Sequence, residues 1–510
     1  MKKTLMQQFT VAAAVALLSL ASQVVAQSAP DKVVIWSPGD NGSVKDWNTD
    51  PILAQVEAAT NTDIEMVKIG WDVYTDQINA AIASGDMPDI IGVVDHGNIS
   101  LLNQWVRDGV LVPLEGDVAA GAPNIMAYYA DPKNEPLTSL KFSDQIYGVP
   151  NFWDSGPAAG NPIHLRKDLL DKYGMAAPET IDEYFSYLEA CKNDGLIGVT
   201  FSGQNGIVGA LAPFAGAHGL PTAGWVKTDS GWGHWAVQPG MKDALLKFRE
   251  MVSKGLVNLA AWEITGDESR AAYVSGKACS TIWNGGGHIG RIQNDMTLVN
   301  PDFKEWVLPA PTDGSEARGY TGGEVSFWGL SFIMNSKQPV AAARVLNYLA
   351  SEEGLKLTAL GIKDIDYTED SNGITLLPAR SEHGFPSEAG DTGAHPLGTT
   401  LVSWVPQTWQ DFSLLYGKDQ AFKDWYAAMW VNMRKYEMPI HGTLIASPLW
   451  TDFQATGAEL MNRTFLQIVQ SGSAEEAASL FDQFVIDWNA LGGADATQEM
   501  SALLDSMSAK

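Results

Sequence analysis

The sequence predicts a doubly wound α/β fold, and three observations carry that expectation. Three short apolar runs early in the chain, residues 32–37 (KVVIWS), 64–69 and 89–94 (DIIGVV), have strand character. Helical stretches separate them, and this alternation builds a parallel sheet with helices on its faces. The third run is apolar on both faces, as a strand buried inside such a sheet must be.

Each element has its own signal. Asp50-Pro51 starts the first helix, with Asp as N-cap and Pro at the first helical position. Tyr74, Ile78 and Ile82 form an apolar stripe on the next helix, which Gly85 ends. A second α/β unit begins after residues 147–150 (YGVP), with a strand at residues 163–166 and a helix stopped by Gly174. Thr180 and Glu183 make a capping box ahead of a helix whose apolar face is Ile181, Tyr184, Phe185, Leu188 and Cys191. Further strands are expected at residues 199–202 and 278–283. The β-rich run 325–334 (VSFWGLSFIM) is long enough to carry the chain back to the first domain, and from about residue 378 the chain is richer in helix and tryptophan.

Length and composition bound the function. The chain has 510 residues, 45% of them hydrophobic, which is ample for two cored domains. A formal charge of −27 argues against nucleic acid and against anionic membrane surfaces. Lys2 and Lys3, the apolar run 9–20 (FTVAAAVALLSL) and the small residues Val24-Val25-Ala26 read as a secretory signal over residues 1–26. The run is too short to span a bilayer, and no cysteine lies near the cut to take a lipid. A periplasmic protein without an anchor is expected. Cys191 and Cys279 either pair in that oxidising compartment or stay as buried thiols, and both options stand at this level. Of 18 tryptophans, Trp36, Trp47, Trp153, Trp225, Trp232, Trp235 and Trp283 sit beside or within three residues of Gly, Asn or Asp. Flat rings in polar loops suit the faces of sugars, whereas core packing is expected to claim about half of them.

Several motifs, in order and at the right spacing, resemble those of the family 1 extracellular solute-binding proteins, the sugar-binding subunits of ABC importers. They are residues 84–90 (SGDMPDI), 147–150 (YGVP), 165–174 (LRKDLLDKYG), 178–184 (PETIDEY) and 273–278 (YVSGKA). Residues 361–367 (GIKDIDY) and 488–495 (WNALGGAD) are similar to the long subgroup containing LplA-type lipoproteins and alginate-oligosaccharide-binding proteins. The resemblance implies a two-lobed, type II-like binding-protein fold with several crossovers and a cleft between the lobes. On that reading residues 27–153 and 318–377 form the N-terminal lobe, and residues 154–317 and 378–510 the C-terminal lobe. The implied partners are an oligosaccharide and the inner-membrane ABC permease, with the protein a monomer that needs no cofactor. Some alginate binders carry a calcium loop where this chain has residues 192–198 (KNDGLIG), a stretch too short and too poor in oxygen ligands for such a site, so no metal is expected.

In open α/β sheets ligands sit at the carboxyl ends of the strands, which selects Trp36, Asp95 and His96 from the first lobe. Trp153 and Asp154 follow the first crossover, Trp283 and Asn284 follow a strand of the second lobe, Glu324 and Trp328 flank the return crossover, and Trp404 comes from the C-terminal part. The alternative is a secreted glycan hydrolase, which needs a pair of placed carboxylates. Glu324 is the most active-site-like acid, and the favoured role for it is accepting sugar hydroxyls. No His-Glu-x-x-His helix, Walker loop or Gly-x-Ser-x-Gly elbow occurs, and residues 283–288 (WNGGGH) lack the spacing of a phosphate cradle.

Overall fold

The computed structural model describes residues 29–508 except 39–43, 71–72, 95–98, 132–140, 143–144, 153–159, 205, 230, 284–288, 315–317, 324–326, 372, 386–393, 405–414, 416–417, 443–444 and 446. The expected signal segment, residues 1–26, lies outside them. Among the described residues no helix is long and apolar enough to cross a membrane.

The first lobe opens with β1 (Asp31–Pro38), α1 (Pro51–Thr60), β2 (Thr62–Ile69), α2 (Tyr74–Ser84), β3 (Ile90–Val94), α3 (Ile99–Arg107) and β4 (Gly148–Phe152). The second lobe contributes β5 (Ile163–Arg166), α4 (Ile181–Asn193), β6 (Ile197–Thr200), α5 (Gly266–Val274), β7 (Ala278–Ile282), β8 (Glu305–Val307) and β9 (Tyr320–Gly323). The chain returns to the first lobe as β10 (Phe327–Ile333). It then ends in α6 (Gln420–Arg434), β11 (Glu437–Ile440), α7 (Pro448–Gln470), α8 (Ala474–Trp488) and α9 (Ala494–Ser508). Local chemistry sets the helix starts as expected. Asp50 accepts from the Leu53 amide at 2.7 Å, and Thr180 and Glu183 close a reciprocal capping box.

The first sheet has the order β2-β1-β3-β10-β4. β1 runs parallel to β2 and β3, and the returning β10 lies antiparallel between β3 and β4. The second sheet, β8-β5-β7-β6, is mixed, with β7 parallel to β6 and antiparallel to β5. Each sheet has its own core. Val33, Ile35, Ile90, Ile91, Phe332 and Leu346 lie in one, and Ile163, Leu188, Phe201, Phe248 and Phe484 in the other. Cys191 of α4 and Cys279 of β7 form a disulfide inside the second core, with Cα atoms 6.4 Å apart. Only Asp194, Gly195 and Leu196 separate α4 from β6.

Two of the expected lobe boundaries differ from the packing. Residues 320–323 pair with β11 of the second lobe, so the return crossing follows Gly323 rather than starting at 318. Residues 397–404 pack on the first sheet, so the last crossing follows Trp404 instead of residue 378. Leu397, Leu401 and Val402 enter the first core, and the Leu401 carbonyl accepts from Ser331 Oγ at 2.8 Å. A side chain on Gly92 of β3 would place its Cβ 2.3 Å from the Thr400 carbonyl oxygen, and glycine is what permits this approach. The stretch carries no strand or long-helix periodicity, so nothing in its sequence announces which sheet it covers.

Candidate functional site

Register aligns the strand ends. Pro38 pairs with Ile69, Leu330 with Val94, and Phe327 with Phe152, so the carboxyl ends of β1, β2, β3 and β4 lie along one edge of the first sheet. In the second sheet Ile282 pairs with Ile163, Thr281 with Thr200, and Val307 with His164, which collects the carboxyl ends of β6, β7 and β8 on one edge. The first crossing leaves from the edge of the first sheet after Phe152, and the return crossing enters it at Phe327. The return crossing is short enough to limit the separation of the lobes there: from Gly323 to Phe327 a chain reaches at most roughly 14 Å. Gly160, at the end of the first crossing, packs against the backbone of Thr321 in β9. The end of the first crossing and the strand that leads into the return crossing are therefore neighbours. A cleft at carboxyl edges is where an α/β protein holds a ligand.

Of the residues selected from sequence, Trp36, Trp283 and Trp404 are described in full. Trp36 is half-buried against the first core, and its carbonyl lies 3.0 Å from the Tyr74 hydroxyl. That hydroxyl also reaches the Gly92 carbonyl at 2.8 Å, and burial pushes its pKa up. Tyr74 thus ties α2 to the ends of β1 and β3. Trp404 is half-buried as well. Its indole N–H donates to the Pro150 carbonyl at 2.7 Å, and one face stacks on Tyr128 with ring centres 4.1 Å apart. Trp404 is therefore held rigidly beside β4, with one face already taken. Trp283 continues β7, but its six-membered ring lies over Gly266, where an added Cβ would come within 2.0 Å of it. The ring packs toward Tyr273, Ile292 and Met296, more wedge than platform. Asp95, His96, Trp153, Asp154, Asn284 and Glu324 lie outside the described residues, as does the side chain of Trp328 in β10.

Three of the loop tryptophans turn out to be core. Trp225, Trp235 and the less expected Trp450 and Trp488 surround His234, whose ring lies 4.9 Å from those of both Trp450 and Trp488. Trp232 is also buried, and its indole N–H donates to Asp505 at 3.1 Å. Trp225 and Trp232 have glycine neighbours and are buried all the same, so such neighbours do not distinguish a ring tucked inward from one presented to solvent.

Sequence reasoning missed the buried pair behind Trp283. His164 Nδ1 lies 2.6 Å from Glu305 Oε1, with neither side chain exposed. His164 Nε2 lies 3.3 Å from the Trp283 carbonyl, which can only accept, so this nitrogen carries a proton. Burial pushes the Glu305 carboxyl up, and the bond to His164 opposes that. The pair thus anchors the backbone at the carboxyl end of β7. Its members are 141 residues apart and carry no motif. Among the described residues no group of three or more His, Cys, Asp or Glu is placed to hold a metal.

Residues 41–356 match the family model described as bacterial extracellular solute-binding protein. The polygalacturonan/rhamnogalacturonan-binding protein YtcQ of Bacillus subtilis is 27% identical over 146 residues, 28% of this chain and 27% of that protein. The fructooligosaccharide ABC transporter substrate-binding protein FusA of Streptococcus pneumoniae is 31% identical over 159 residues, 30% of this chain and 29% of its own. The matched region thus spans less than a third of either relative. The crystal structure of the alginate-binding protein AlgQ2 without calcium ion superposes with a TM-score of 0.69 at 16% identity, covering 94% of this chain and 98% of that one. That likeness is one of fold, and it extends over both lobes.

Proposed function

Because the chain belongs to the bacterial extracellular solute-binding proteins, we propose that it captures an oligosaccharide between its lobes and delivers it to an inner-membrane ABC permease. The observation that carries this reading is the alignment of strand carboxyl ends along one edge of each sheet, with Gly160 and Thr321 neighbours beside the connections between the lobes. A ligand touching both edges favours the closed arrangement of the lobes, and the permease then recognises that shape. Trp36 and Trp404 offer half-buried rings for contact area. Asp95, His96, Asp154, Asn284 and Glu324 are the proposed partners for hydroxyls, and Trp153, Trp283 and Trp328 complete the proposed set. Two relatives whose names specify pectic polymers and fructooligosaccharides support a saccharide ligand and leave its charge open. Residues 1–26 are proposed to direct the chain to the periplasm, where it works unanchored and as a monomer.

A thermal-shift screen across fructooligosaccharides, oligogalacturonates and alginate oligomers tests the proposal, since a ligand of the folded state raises Tm. Mass spectrometry of the best ligand after incubation should return it unchanged. A flat screen would sink the saccharide reading. Shortened products lost on replacing Glu324 would make the protein a hydrolase.

A further inference from the structure

The two lobes also touch through their own side chains. Asn103 of α3 donates from Nδ2 to Thr451 Oγ1 of α7 at 3.5 Å, joining residues 348 positions apart. Both are rigidly mounted. On the α3 side, Leu102 and Trp105 are buried in the first core, and Trp105 Nε1 donates to Asn79 at 3.2 Å. On the α7 side, Ser447 caps the helix, and Glu499 of α9 accepts from both the Ser447 hydroxyl and the Leu449 amide. The next residue, Trp450, is locked into the aromatic cluster around His234. Thr451 is itself buried, although its hydroxyl is turned to the other lobe.

The position of this contact sets its effect. α3 follows the carboxyl end of β3, so Asn103 lies a little over one turn from the edge that borders the cleft. Opening the cleft by rotation about the crossings must separate helices that meet on the cleft side. A rigid rotation cannot preserve a hydrogen bond between two anchored side chains. We infer that the Asn103–Thr451 contact is a latch that biases the lobes toward closure independently of any ligand, and so tunes the affinity of the cleft. The inference deepens the binding reading above and rests on it for the effect on affinity.

The geometry follows from population shift. Affinity for a ligand of the closed state scales with the fraction of molecules already closed, so losing a contact specific to that state weakens binding without touching the ligand. For one neutral hydrogen bond the expected loss is about two- to tenfold in Kd.

The test has an arm that needs no saccharide. In the Asn103→Cys/Thr451→Cys variant, a short bis-methanethiosulfonate reagent should link the two new thiols, which face each other between the lobes, because the native cysteines are already bonded to each other. In Asn103→Ala and Thr451→Val, small-angle scattering of the ligand-free protein should show a larger radius of gyration. With the best saccharide from the screen, both variants should bind two- to tenfold more weakly at unchanged ligand-free Tm. Two reactive thiols that fail to link, or a radius of gyration equal to that of the wild type, would overturn the latch. If linking and expansion occur while no saccharide binds, the latch stands and the saccharide reading falls.

Discussion

Breaking the Cys191–Cys279 bond should destabilise the second lobe and leave the first as it was. The bond joins residues 88 apart, and both sulfurs sit inside the second core. Closing a loop of that length removes unfolded-state entropy equivalent to about 4–5 kcal/mol at 25 °C. Reduction keeps both side chains in place, so no cavity term is added, unlike a change to alanine. Native-state reductant has no access to a pair that is 0% exposed, so the protein must be reduced while unfolded and then refolded. Urea unfolding followed by tryptophan fluorescence resolves the lobes, because Trp225, Trp235, Trp450 and Trp488 report the second and Trp105 the first. With a urea dependence of about 3 kcal/mol/M for a lobe of this size, the second midpoint should fall by about 1.5 M. Coincident midpoints for the oxidised and reduced forms would refute the reasoning, because the cross-link would then place no constraint on the unfolded chain. A shift in the first-lobe transition would be equally damaging.

The tryptophans should separate by role. Trp488→Ala should cost about 3–5 kcal/mol of second-lobe stability in urea, as expected for a buried ring. Trp36→Ala, removing a half-buried ring of the proposed site, should weaken saccharide binding by about 1–3 kcal/mol by calorimetry, and unchanged affinity would remove it from the site. Stability should also fall on mild acidification. Burial holds His234 at about 3 and lowers His395, and in each ring Nδ1 accepts a backbone amide that protonation would displace. The unfolded rings take protons near pH 6.5 and the folded ones do not. Stability is therefore complete above about pH 6.5 and declines by about 1.4 kcal/mol per pH unit for each fully buried ring below it, until the folded pKa is reached. Urea midpoints measured from pH 7 to pH 5 check this, before carboxylates begin to contribute, and a flat profile would count against it. Chelation should leave both Tm and saccharide affinity where they were, and a drop restored by calcium would reveal a metal site.

What the sequence by itself determined is local. Asp50 as a cap, the Thr180–Glu183 box, the stripe of Tyr74 and Ile78 and the buried strand β3 all depend on residues within a few positions of one another, and each forms where expected. The alternation of such elements was enough for an α/β fold, and the two-lobed architecture came from the family resemblance. Tertiary structure decided the partners. An apolar stripe states that a face is covered without naming the cover, so the sequence left open whether Cys191 meets Cys279. Trp225 and Trp488 close on one histidine from distant parts of the chain, and no window of sequence separates them from rings that face a cleft. The return of residues 397–404 to the first sheet rests on a glycine in β3 and a carbonyl more than three hundred positions later. Asn103 and Thr451 are farther apart still. Burial is a short-range preference that the chain displays locally, whereas the identity of the neighbour follows only when all the covered faces are satisfied together.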